Sequence, residues 1–431
     1  MTLVVVEGGR GPQAVERVHD AVVGALRTWR GGGSPAPLFV VAPGTDPEAI
    51  RAEVGRLEVP EGTGLLMRTS GSTTGTGKIV AISWESLTAS AKATHEAFGG
   101  PGRWAAQLPL EHIAGFQTVA RSAINELDAL DAGESPQSAA RFRPIYLDLS
   151  DPRATRAALT SAAVRTYLSL VPTQLLRVLR TPELLVALRE AVFLVGGAGT
   201  PEHALTQARE AGLDVHTSYG MTETCGGCVY DGRPIGDTKI VLAGNGRISL
   251  RSSAVATGYL WPCTASATAP VSAVASTFEP TDFDPPAPLR TPGTPATHHT
   301  KDAGRLVETP DGNILDVLGR IDDAITTGGL TVMPRLIEES LARAGREAIV
   351  VGVPHLEWGE AVAAVVDDTN NPSQSCDITV MRSWVKLDLG PWWAPTYVVG
   401  LSEIGGQLPH TASGKVDRRQ LRELVSDYLG L

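Results

Sequence analysis

The sequence has no long apolar runs, no clusters of basic residues and few cysteines. Of its 431 residues, 42% are hydrophobic and 19% are charged. These ordinary values exclude a wholly disordered chain. Arg165 interrupts the apolar stretch at 159–171, and no run approaches the roughly 18 residues that span a bilayer. We therefore expect no membrane insertion.

Charge and length limit the functional class further. The chain carries 37 lysines and arginines against 47 aspartates and glutamates, a formal net charge of −10. An acidic protein without a basic block is not expected to bind nucleic acid through counterion release. Residues 1–7 lack the basic start and the long apolar segment of a secretory signal, so we expect a cytoplasmic location. The length suggests about two or three domains.

The four cysteines offer little chemistry. Cys225 and Cys228 have the spacing of half a zinc knuckle, but no second pair of ligands follows them. The surrounding sequence also lacks the thioredoxin-like context of a redox pair. We expect both side chains to be small packed residues without a chemical role.

Alternating apolar and amphipathic stretches predict the fold class. Helices are predicted at 14–29, 84–98 and 182–190, and strands at 38–42, 65–69, 104–108, 166–171, 192–195 and 215–219. Strands that alternate with helices of this length indicate βαβ units and parallel sheet. We therefore predict a large N-terminal α/β domain with β-sheets flanked by helices.

Two later segments differ from this pattern. Residues 264–299 are rich in proline, alanine, threonine and serine, which predicts a flexible insertion with His298 and His299 in a solvated loop. From residue 320 a helix at 334–344, ended by Gly345, and strands at 348–352 and 361–366 predict a small mobile α+β domain. The predicted domains are 1–319 and 320–431.

The strongest local motif is the glycine- and hydroxyl-rich segment from Thr69 to Lys78. Backbone N–H groups and hydroxyls in such a loop can hold phosphate oxygens, and Lys78 adds a cation. A Walker A loop of an NTPase or kinase is an alternative, but it would need glycine at Ser72 and a hydroxyl residue at Ile79. A flexible polar turn is a second alternative.

Further motifs follow at intervals along the chain. Glu223, beside hydroxyls and a glycine after a predicted strand, suits Mg²⁺, which prefers one or two carboxylates plus phosphate oxygens. Tyr219 offers a face for a base, and Asp302 could accept both hydroxyls of a ribose. Charge and backbone freedom combine around Arg320 and the later Gly328-Gly329 pair, and Lys415 lies in a glycine- and serine-rich turn. Each of these could equally be a solvated turn.

In this order and spacing, the motifs resemble those of the adenylate-forming superfamily of acyl-CoA synthetases, luciferases and carrier-loading adenylation domains. The resemblance extends from about residue 65 to residue 419. The passages at 108–122 and 219–232 resemble the o-succinylbenzoate–CoA ligase family of menaquinone biosynthesis. Two departures stand in the phosphate loop, where Thr74 is an extra residue and Gly77 replaces proline.

The resemblance implies a two-step reaction with Mg·ATP and coenzyme A, in which an acyl-adenylate forms and a thiol then captures it. The residues that it implies for the triphosphate are Thr69, Ser70, Gly71, Ser72, Thr73, Gly75 and Lys78. Those for the rest of the nucleotide are Gly197, Ala198, Tyr219, Gly220, Met221, Thr222, Asp302 and Arg320. Glu223 would bind Mg²⁺, Lys415 would assist adenylation, and Gly328 and Gly329 would line the passage for CoA.

The acyl substrate implied by the resemblance carries two carboxylates, of which one is activated. The other needs a cation, because an unpaired anion in a partly dry pocket is costly. Arg121 is the candidate, on a helix predicted at 116–125, with the catalytic candidate His112 at the pocket wall. Another aryl or acyl ligase, or an enzyme that loads a carrier protein, stays open as an alternative, and so does the choice between a monomer and a homo-oligomer.

Overall fold

The structure is a computed structural model that describes residues 2–69, 77–160, 164–262, 282–284, 293–369, 377–410 and 416–431. The chain forms two compact units that interleave in sequence. The first unit comprises Met1–Val241, Ser249–His299 and Gly312–Ile314. The second comprises Leu242–Ile248, Thr300–Asp311 and Leu315–Leu431. The predicted domain boundary at 319/320 stays a prediction.

The strands are numbered in chain order. They are β1 Val4–Glu7, β2 Leu38–Val41, β3 Leu57–Glu58, β4 Thr63–Arg68, β5 Ile79–Ser83, β6 Arg103–Ala106, β7 Ile145–Tyr146, β8 Thr166–Leu170, β9 Val192–Gly196, β10 Asp214–Met221, β11 Gly226–Tyr230, β12 Arg233–Pro234, β13 Lys239–Leu242, β14 Arg247–Ser252, β15 Gly258–Tyr259, β16 Trp261–Pro262, β17 Phe283–Asp284, β18 Ala296–Thr309, β19 Gly312–Arg320, β20 Ile325–Thr327, β21 Leu330–Val332, β22 Ala348–His355, β23 Gly359–Val366 and β24 Tyr397–Gly400.

The helices are numbered in the same way. They are α1 Pro12–Arg30, α2 Pro47–Val54, α3 Trp84–Ala97, α4 Ile113–Asp131, α5 Pro136–Ala139, α6 Pro152–Thr160, α7 Pro172–Arg180, α8 Pro182–Leu188, α9 Glu202–Glu210, α10 Pro334–Arg343, α11 Ile378–Asp388 and α12 Arg418–Leu429. Many of them begin at proline, which fixes φ in the helical range and has no N–H to leave unsatisfied in the first turn.

The first unit contains two large sheets. One has the order β1-β2-β4-β5-β15, in which β1, β2 and β4 run parallel and β5 is antiparallel to both of its neighbours. The other has the order β12-β11-β10-β9-β8-β6-β7, with parallel pairing from β10 through β7. Because parallel strands need crossover connections, helices cover these faces, and β2, β8 and β9 are buried along almost their whole length.

Helix α4 is buried along most of its length. Every residue from Gly115 to Leu127 is buried, and the helix packs against α1, α3 and β6. A helix that is buried on all sides must satisfy its polar side chains internally. The amide nitrogens of Gln117 and Asn125 donate to the backbone carbonyls of Cys225 at 2.6 Å and Gly102 at 2.8 Å, whereas Gln117 Oε1 has no partner among the described residues. This burial sets the environment of Arg121 on the same helix.

The second unit is built around the sheet β21-β20-β23-β22, with β24 parallel to β23. Helices α10 and α11 cover one face through Ile337 and Met381, and α12 covers the other through Leu421 and Val425. Asp417 begins α12 by accepting a hydrogen bond from the Gln420 N–H at 3.0 Å.

The predicted α/β class is confirmed, and the predicted helices and strands are present with ends that move by a few residues. The predicted packing of Cys225 and Cys228 is confirmed, since both are buried, and burial raises the pKa of Cys228 to about 12. Within the described part of the chain, no helix is long and apolar enough to cross a membrane.

The prediction of a flexible insertion at 264–299 is wrong for the residues of that segment that the structure describes. β17 pairs antiparallel with β18, and Phe283, Ala296 and His298 are buried. Composition failed here because short paired strands need few apolar residues when each of them packs. Residues 264–281 and 285–292 lie outside the described residues.

Candidate active site

The nucleotide candidates of the first unit lie where two parallel strands end. β9 and β10 pair so that Gly196 lies opposite Ser218. Gly197-Ala198 therefore follow the end of β9, and Tyr219–Met221 are the last residues of the neighbouring strand β10. The carboxyl edge of a parallel sheet is where ligands bind in open α/β folds. The structure thus places these candidates on or directly after neighbouring strands of one sheet.

Close backbone contact explains the glycines in this motif. A Cβ at Gly220 would lie 2.1 Å from the carbonyl oxygen of Gly226, and one at Gly227 would lie 2.0 Å from Ser218 Oγ. Cys225 adopts a left-handed conformation with φ of 53°, and Gly226 follows with φ of 90°. The chain therefore reverses tightly between β10 and β11, which holds the intervening turn in one position.

That turn, Thr222–Thr224, carries the proposed metal and phosphate candidates. Thr222 and Glu223 are both buried, at 9% and 8% exposure. The Thr224 hydroxyl accepts from the Met221 N–H at 2.9 Å and donates to the Gly226 carbonyl at 2.8 Å. The backbone of the turn is therefore buried and held by hydrogen bonds on both sides of Glu223.

The phosphate loop is described at its two ends. The Thr69 N–H donates to the Lys78 carbonyl at 2.8 Å, which closes the base of the loop. A Cβ at Gly77 would lie 1.8 Å from the Thr69 carbonyl oxygen, so only glycine fits there without a shift. The candidates Ser70, Gly71, Ser72, Thr73 and Gly75 lie outside the described residues.

Lys78 and Glu223 are joined through residues that sequence analysis did not identify. The Lys78 ammonium lies 4.2 Å from the centre of the Tyr259 ring and 3.5 Å from Asp282 Oδ2. The Tyr259 hydroxyl donates to Glu223 Oε1 at 2.6 Å. No local pattern could have found Asp282, which is separated from Lys78 by 204 residues.

His298 belongs to the same group, and its predicted place in a solvated loop is wrong. It lies in β18 with 4% exposure, and its Nδ1 donates to the Asp282 backbone carbonyl at 2.9 Å. The pKa of His298 is lowered, because the effect of burial is larger than the opposite effect of the nearby Glu223 carboxylate. The loop prediction is wrong for His299 as well, which lies in β18 and bonds Ser249 Oγ through Nδ1 at 2.8 Å.

The acyl-pocket candidates stand on α4. His112 is exposed at the N-cap position, and Arg121 lies further along the helix with 2% exposure. Gln117, one turn before Arg121, donates to the Cys225 carbonyl at 2.6 Å. The same helix therefore supports the turn that carries Glu223.

Arg121 is a buried cation without an acidic partner among the described residues. Its guanidinium carbon lies 4.6 Å from the centre of the Trp104 ring, its Nη2 donates weakly to the Tyr230 hydroxyl at 3.4 Å, and its Nε has no partner. His95 stays neutral nearby, because burial, aided by the charge of Arg121, lowers its pKa to about 3. Burying a cation without an anion is unfavourable.

The second unit brings together the ribose candidates. Arg320 Nη2 donates to Asp322 Oδ2 at 2.7 Å, and the Lys301 ammonium lies 3.9 Å from the same oxygen. Burial alone would lower the pKa of Arg320, but Asp322 and the charge of Asp302 raise it. Asp302 is half-buried, and its N–H donates to Thr300 Oγ1 at 3.0 Å. The charge of Asp302 is therefore felt at Arg320.

The other candidates of the second unit are the Gly328-Gly329 turn and Lys415. Gly328 and Gly329 form the turn between β20 and β21 with φ values of 56° and 82°. Positive φ at both positions is typical of a two-residue type I′ hairpin, which favours glycine. Lys415 lies outside the described residues, although the flanking His410 and Val416 form an antiparallel bridge.

The donors around Glu223 fit one kind of metal site. No group of three or more His, Cys, Asp or Glu among the described residues could hold a metal ion alone. Mg²⁺ is commonly bound by one or two carboxylates together with substrate phosphates. Glu223, fixed by Tyr259, fits a metal that arrives with a nucleotide.

The structure is thus an α/β protein whose side chains include candidates for binding phosphate, a metal ion and ribose. The model of the AMP-binding enzyme family matches residues 55–249, and that of the AMP-binding enzyme C-terminal domain matches residues 337–415. The chain is 34% identical over 411 residues to a Mycobacterium tuberculosis protein named probable 2-succinylbenzoate–CoA ligase, covering 92% of this chain and 93% of that protein. The chain belongs to the AMP-binding enzyme family, which confirms the predicted resemblance.

Solved structures share the fold. The ATP-bound MatB of Rhodopseudomonas palustris matches with a TM-score of 0.69 at 20% identity, over 99% of this chain and 90% of that one. The o-succinylbenzoate CoA synthetase of Bacillus subtilis, in complex with the acyl-adenylate intermediate OSB-AMP, matches with a TM-score of 0.63 at 22% identity, over 97% and 87%.

Proposed function

We propose that this protein is an AMP-forming acid–thiol ligase that converts 2-succinylbenzoate, with ATP and CoA, to 2-succinylbenzoyl-CoA. The observation that carries the proposal is the buried guanidinium of Arg121, which has no acidic partner among the described residues. A ligand carboxylate would supply the missing anion. The relative from Mycobacterium tuberculosis bears the name of this activity and aligns over nearly the whole chain.

The proposed first half-reaction joins the substrate to the nucleotide. A carboxylate of the acid attacks the α-phosphorus of ATP, so that a C–O–P bond forms and pyrophosphate leaves. Lys78 and the loop from Thr69 would hold the terminal phosphates, and Thr222 the α-phosphate. Mg²⁺, when bound at Glu223, would neutralise phosphate charge. The remaining task of the protein is positioning and electrostatic stabilisation.

The nucleoside would be bound by an aromatic ring, two small residues and a charged pair. Tyr219 and Gly197-Ala198 would frame the adenine, and Asp302 and Arg320 would contact the ribose. Lys415 would bridge the attacking carboxylate and the α-phosphate during adenylation. The chemistry of each group supports its role, because ribose hydroxyls suit a carboxylate and developing negative charge suits a lysine.

The proposed second half-reaction transfers the acyl group to CoA. The thiolate attacks the acyl carbon and AMP leaves as the C–O bond breaks. We propose domains 1–319 and 320–431, with a rotation about Asp322 that withdraws Lys415 and presents Gly328-Gly329 to the thiol. Such a rearrangement would shield a water-sensitive intermediate. His112, exposed at the start of α4, would contact the acyl group.

A panel of carboxylic acids tests the function directly. The purified chain is assayed for AMP, pyrophosphate and ADP with each acid, with and without CoA. We expect CoA-dependent AMP and pyrophosphate release that is fastest with 2-succinylbenzoate. ADP as product would indicate a kinase-type reaction instead, and adenylation of an acid that is never passed to CoA would indicate a carrier-loading enzyme.

A further inference from the structure

The contact between Lys78 and Tyr259 follows from strand register. β15 pairs antiparallel with β5, and Tyr259 lies opposite Val80. Lys78 stands two residues before Val80, so the Lys78 and Val80 side chains project from the same face of the sheet. The Tyr259 side chain, opposite Val80, lies on that face as well. Diagonal neighbours across two strands are within reach of aromatic and long side chains. The ammonium therefore meets the ring, 4.2 Å from its centre.

The same short segment also holds Glu223. The Ala256 N–H donates to the Glu223 backbone carbonyl at 2.7 Å, and the Tyr259 hydroxyl donates to the Glu223 carboxylate at 2.6 Å. Main chain and side chain of Glu223 are thus both attached to residues 256–259. Tyr259 contacts the metal candidate with its hydroxyl and the phosphate candidate with its ring.

Asp282 holds Lys78 from another side, and it is itself fixed. Its side chain is 5% exposed, whereas that of Lys78 is 42% exposed. His298 Nδ1 donates to the Asp282 carbonyl, because a carbonyl can only accept. The Phe283 ring packs on Tyr259 and His298, with centroids 5.2 Å and 4.7 Å apart. Asp282 therefore has little freedom to follow Lys78 if the lysine moves.

We propose that Tyr259 and Asp282 are positioning residues for nucleotide binding, Tyr259 orienting Glu223 through its hydroxyl and Asp282 orienting Lys78 through its carboxylate. This inference rests on the proposed function, because it takes Lys78 as a phosphate ligand and Glu223 as a metal ligand. It adds two residues, remote from these motifs in sequence, to the set that determines ATP affinity.

The geometry favours positioning over competition between Asp282 and the nucleotide. A lysine ammonium has three N–H donors, and here one faces Asp282 while the exposed side of the group stays open. The ring of Tyr259 adds an attraction that does not use a donor. Lys78 can therefore contact a phosphate oxygen without leaving Asp282.

The proposed roles of Tyr259 and Asp282 predict different effects of Mg²⁺ on ATP affinity. Binding calorimetry can separate them. ATP affinity is measured in EDTA and in saturating Mg²⁺, without acid or CoA, so that no reaction occurs. Asp282→Asn is expected to weaken ATP about tenfold in both conditions, because Lys78 acts without the metal. Tyr259→Phe keeps the ring and is expected to weaken ATP about tenfold only with Mg²⁺.

Matched controls separate these effects from general ones. Asp284→Asn removes the same charge from an exposed acid two residues further along the chain, and Tyr428→Phe removes another tyrosine–glutamate hydrogen bond, that to Glu403 at 2.7 Å. Neither is expected to change ATP affinity by more than about twofold. Tyr259→Leu removes the ring as well, and should weaken ATP in EDTA even if Asp282→Asn does not fold.

The outcomes distinguish this inference from the proposed function. If the wild type binds no ATP, the proposed function fails. If Glu223→Gln leaves the Mg²⁺ dependence intact, Glu223 is not the metal ligand and the role of Tyr259 fails with it. If Glu223→Gln removes the Mg²⁺ dependence and Tyr259→Phe does not reduce it, only the positioning role of Tyr259 is overturned. Tighter ATP binding by Asp282→Asn would show that Asp282 competes with the nucleotide and would overturn its positioning role.

Discussion

Two cations of the first unit, Lys78 and Arg121, have opposite environments. Lys78 keeps 42% of its side chain exposed and faces the Asp282 carboxylate, whereas Arg121 is 2% exposed and has no acid beside it in the described chain. Arg121 is surrounded by the Trp104 ring, a single distant hydroxyl and a neutral histidine. One cation is already compensated within the protein, and the other is not.

The contrast bears on what each cation does. A compensated, half-exposed lysine costs the fold little and can share its charge with a ligand. A buried guanidinium without an anion destabilises the folded state. Such a cost is expected at a functional site, where a ligand later supplies the negative charge. We therefore expect replacement of Arg121 to impair substrate binding without lowering the free energy of unfolding. Replacement of Lys78 is expected to lower the free energy of unfolding.

The largest effect is expected from Arg121→Leu. The KM for 2-succinylbenzoate should rise by the equivalent of about 2–5 kcal/mol, because the second carboxylate loses its partner. The KM for ATP should barely change. The free energy of unfolding, measured with urea, should stay the same or increase, since leucine replaces a buried unpaired charge with an apolar group.

An analogue of the acid without its second carboxylate is the control for this variant. Its KM should respond little to Arg121→Leu. An equal loss with both acids, together with a lower free energy of unfolding, would instead mean that Arg121 supports the packing of α4.

Lys78→Met is expected to have the next largest effect. The KM for ATP should rise by about 1.5–3 kcal/mol, the usual value of hydrogen bonds to charged groups, with little change for the acid. Stability should fall, because the buried Asp282 loses its lysine. Adding Asp282→Asn should restore part of the lost stability but not the affinity for ATP.

Lys92→Met, at an exposed position of α3, is the matched control. It removes one positive charge from the same unit and should leave the KM for ATP unchanged. If it weakens ATP as much as Lys78→Met does, the effect is one of net charge rather than of contact.

Much of the fold could be predicted from sequence because its signals are local. The strand at Thr166–Leu170 and the helix at Pro182–Leu188 follow from apolar periodicity and from proline at the first helical position. The motif at 218–224 was also found locally, since its glycines and carboxylate are adjacent in sequence. The burial of Arg121 was not predictable from one helix, because it depends on how α4 packs among α1, α3 and β6.

The remainder of the site could not be predicted, because its contacts are long-range. Tyr259 reaches Lys78 through strand register, and Asp282 and His298 stand in or beside a segment whose composition predicted a loop. Gly77 shows a different limit. The family pattern made it a departure from proline, whereas its backbone lies too close to the Thr69 carbonyl for any other residue.

His95, beside Arg121, gives a pH test of the same environment. Its folded pKa of about 3 lies below the usual 6.5. The unfolded chain therefore binds one more proton between these values, and stability falls as the pH falls below about 6.5. His95→Gln can still accept from the Trp104 indole N–H and the Asn125 amide but cannot titrate.

Urea unfolding at pH 7.5 and pH 5.5 measures the contribution of His95. The loss between these conditions should be about 1.4 kcal/mol smaller in His95→Gln than in the wild type. Since other groups titrate equally in both proteins, only the difference is used. An identical loss in the two proteins would mean that His95 becomes protonated in the folded state.

The smallest effect is expected from Tyr230→Phe. The Thr94 hydroxyl donates to the Ser90 carbonyl at 2.9 Å, so the Tyr230 hydroxyl donates to Thr94 and accepts from Arg121 at 3.4 Å. Removing it frees the guanidinium to rotate, and the KM for 2-succinylbenzoate should rise by about 0.5–1.5 kcal/mol. If the hydroxyl acts through Arg121, Tyr230→Phe should add nothing in an Arg121→Leu background, as a double-mutant cycle would measure. A full additive rise in that background would place the role of Tyr230 elsewhere in the pocket and leave Arg121 without an orienting partner.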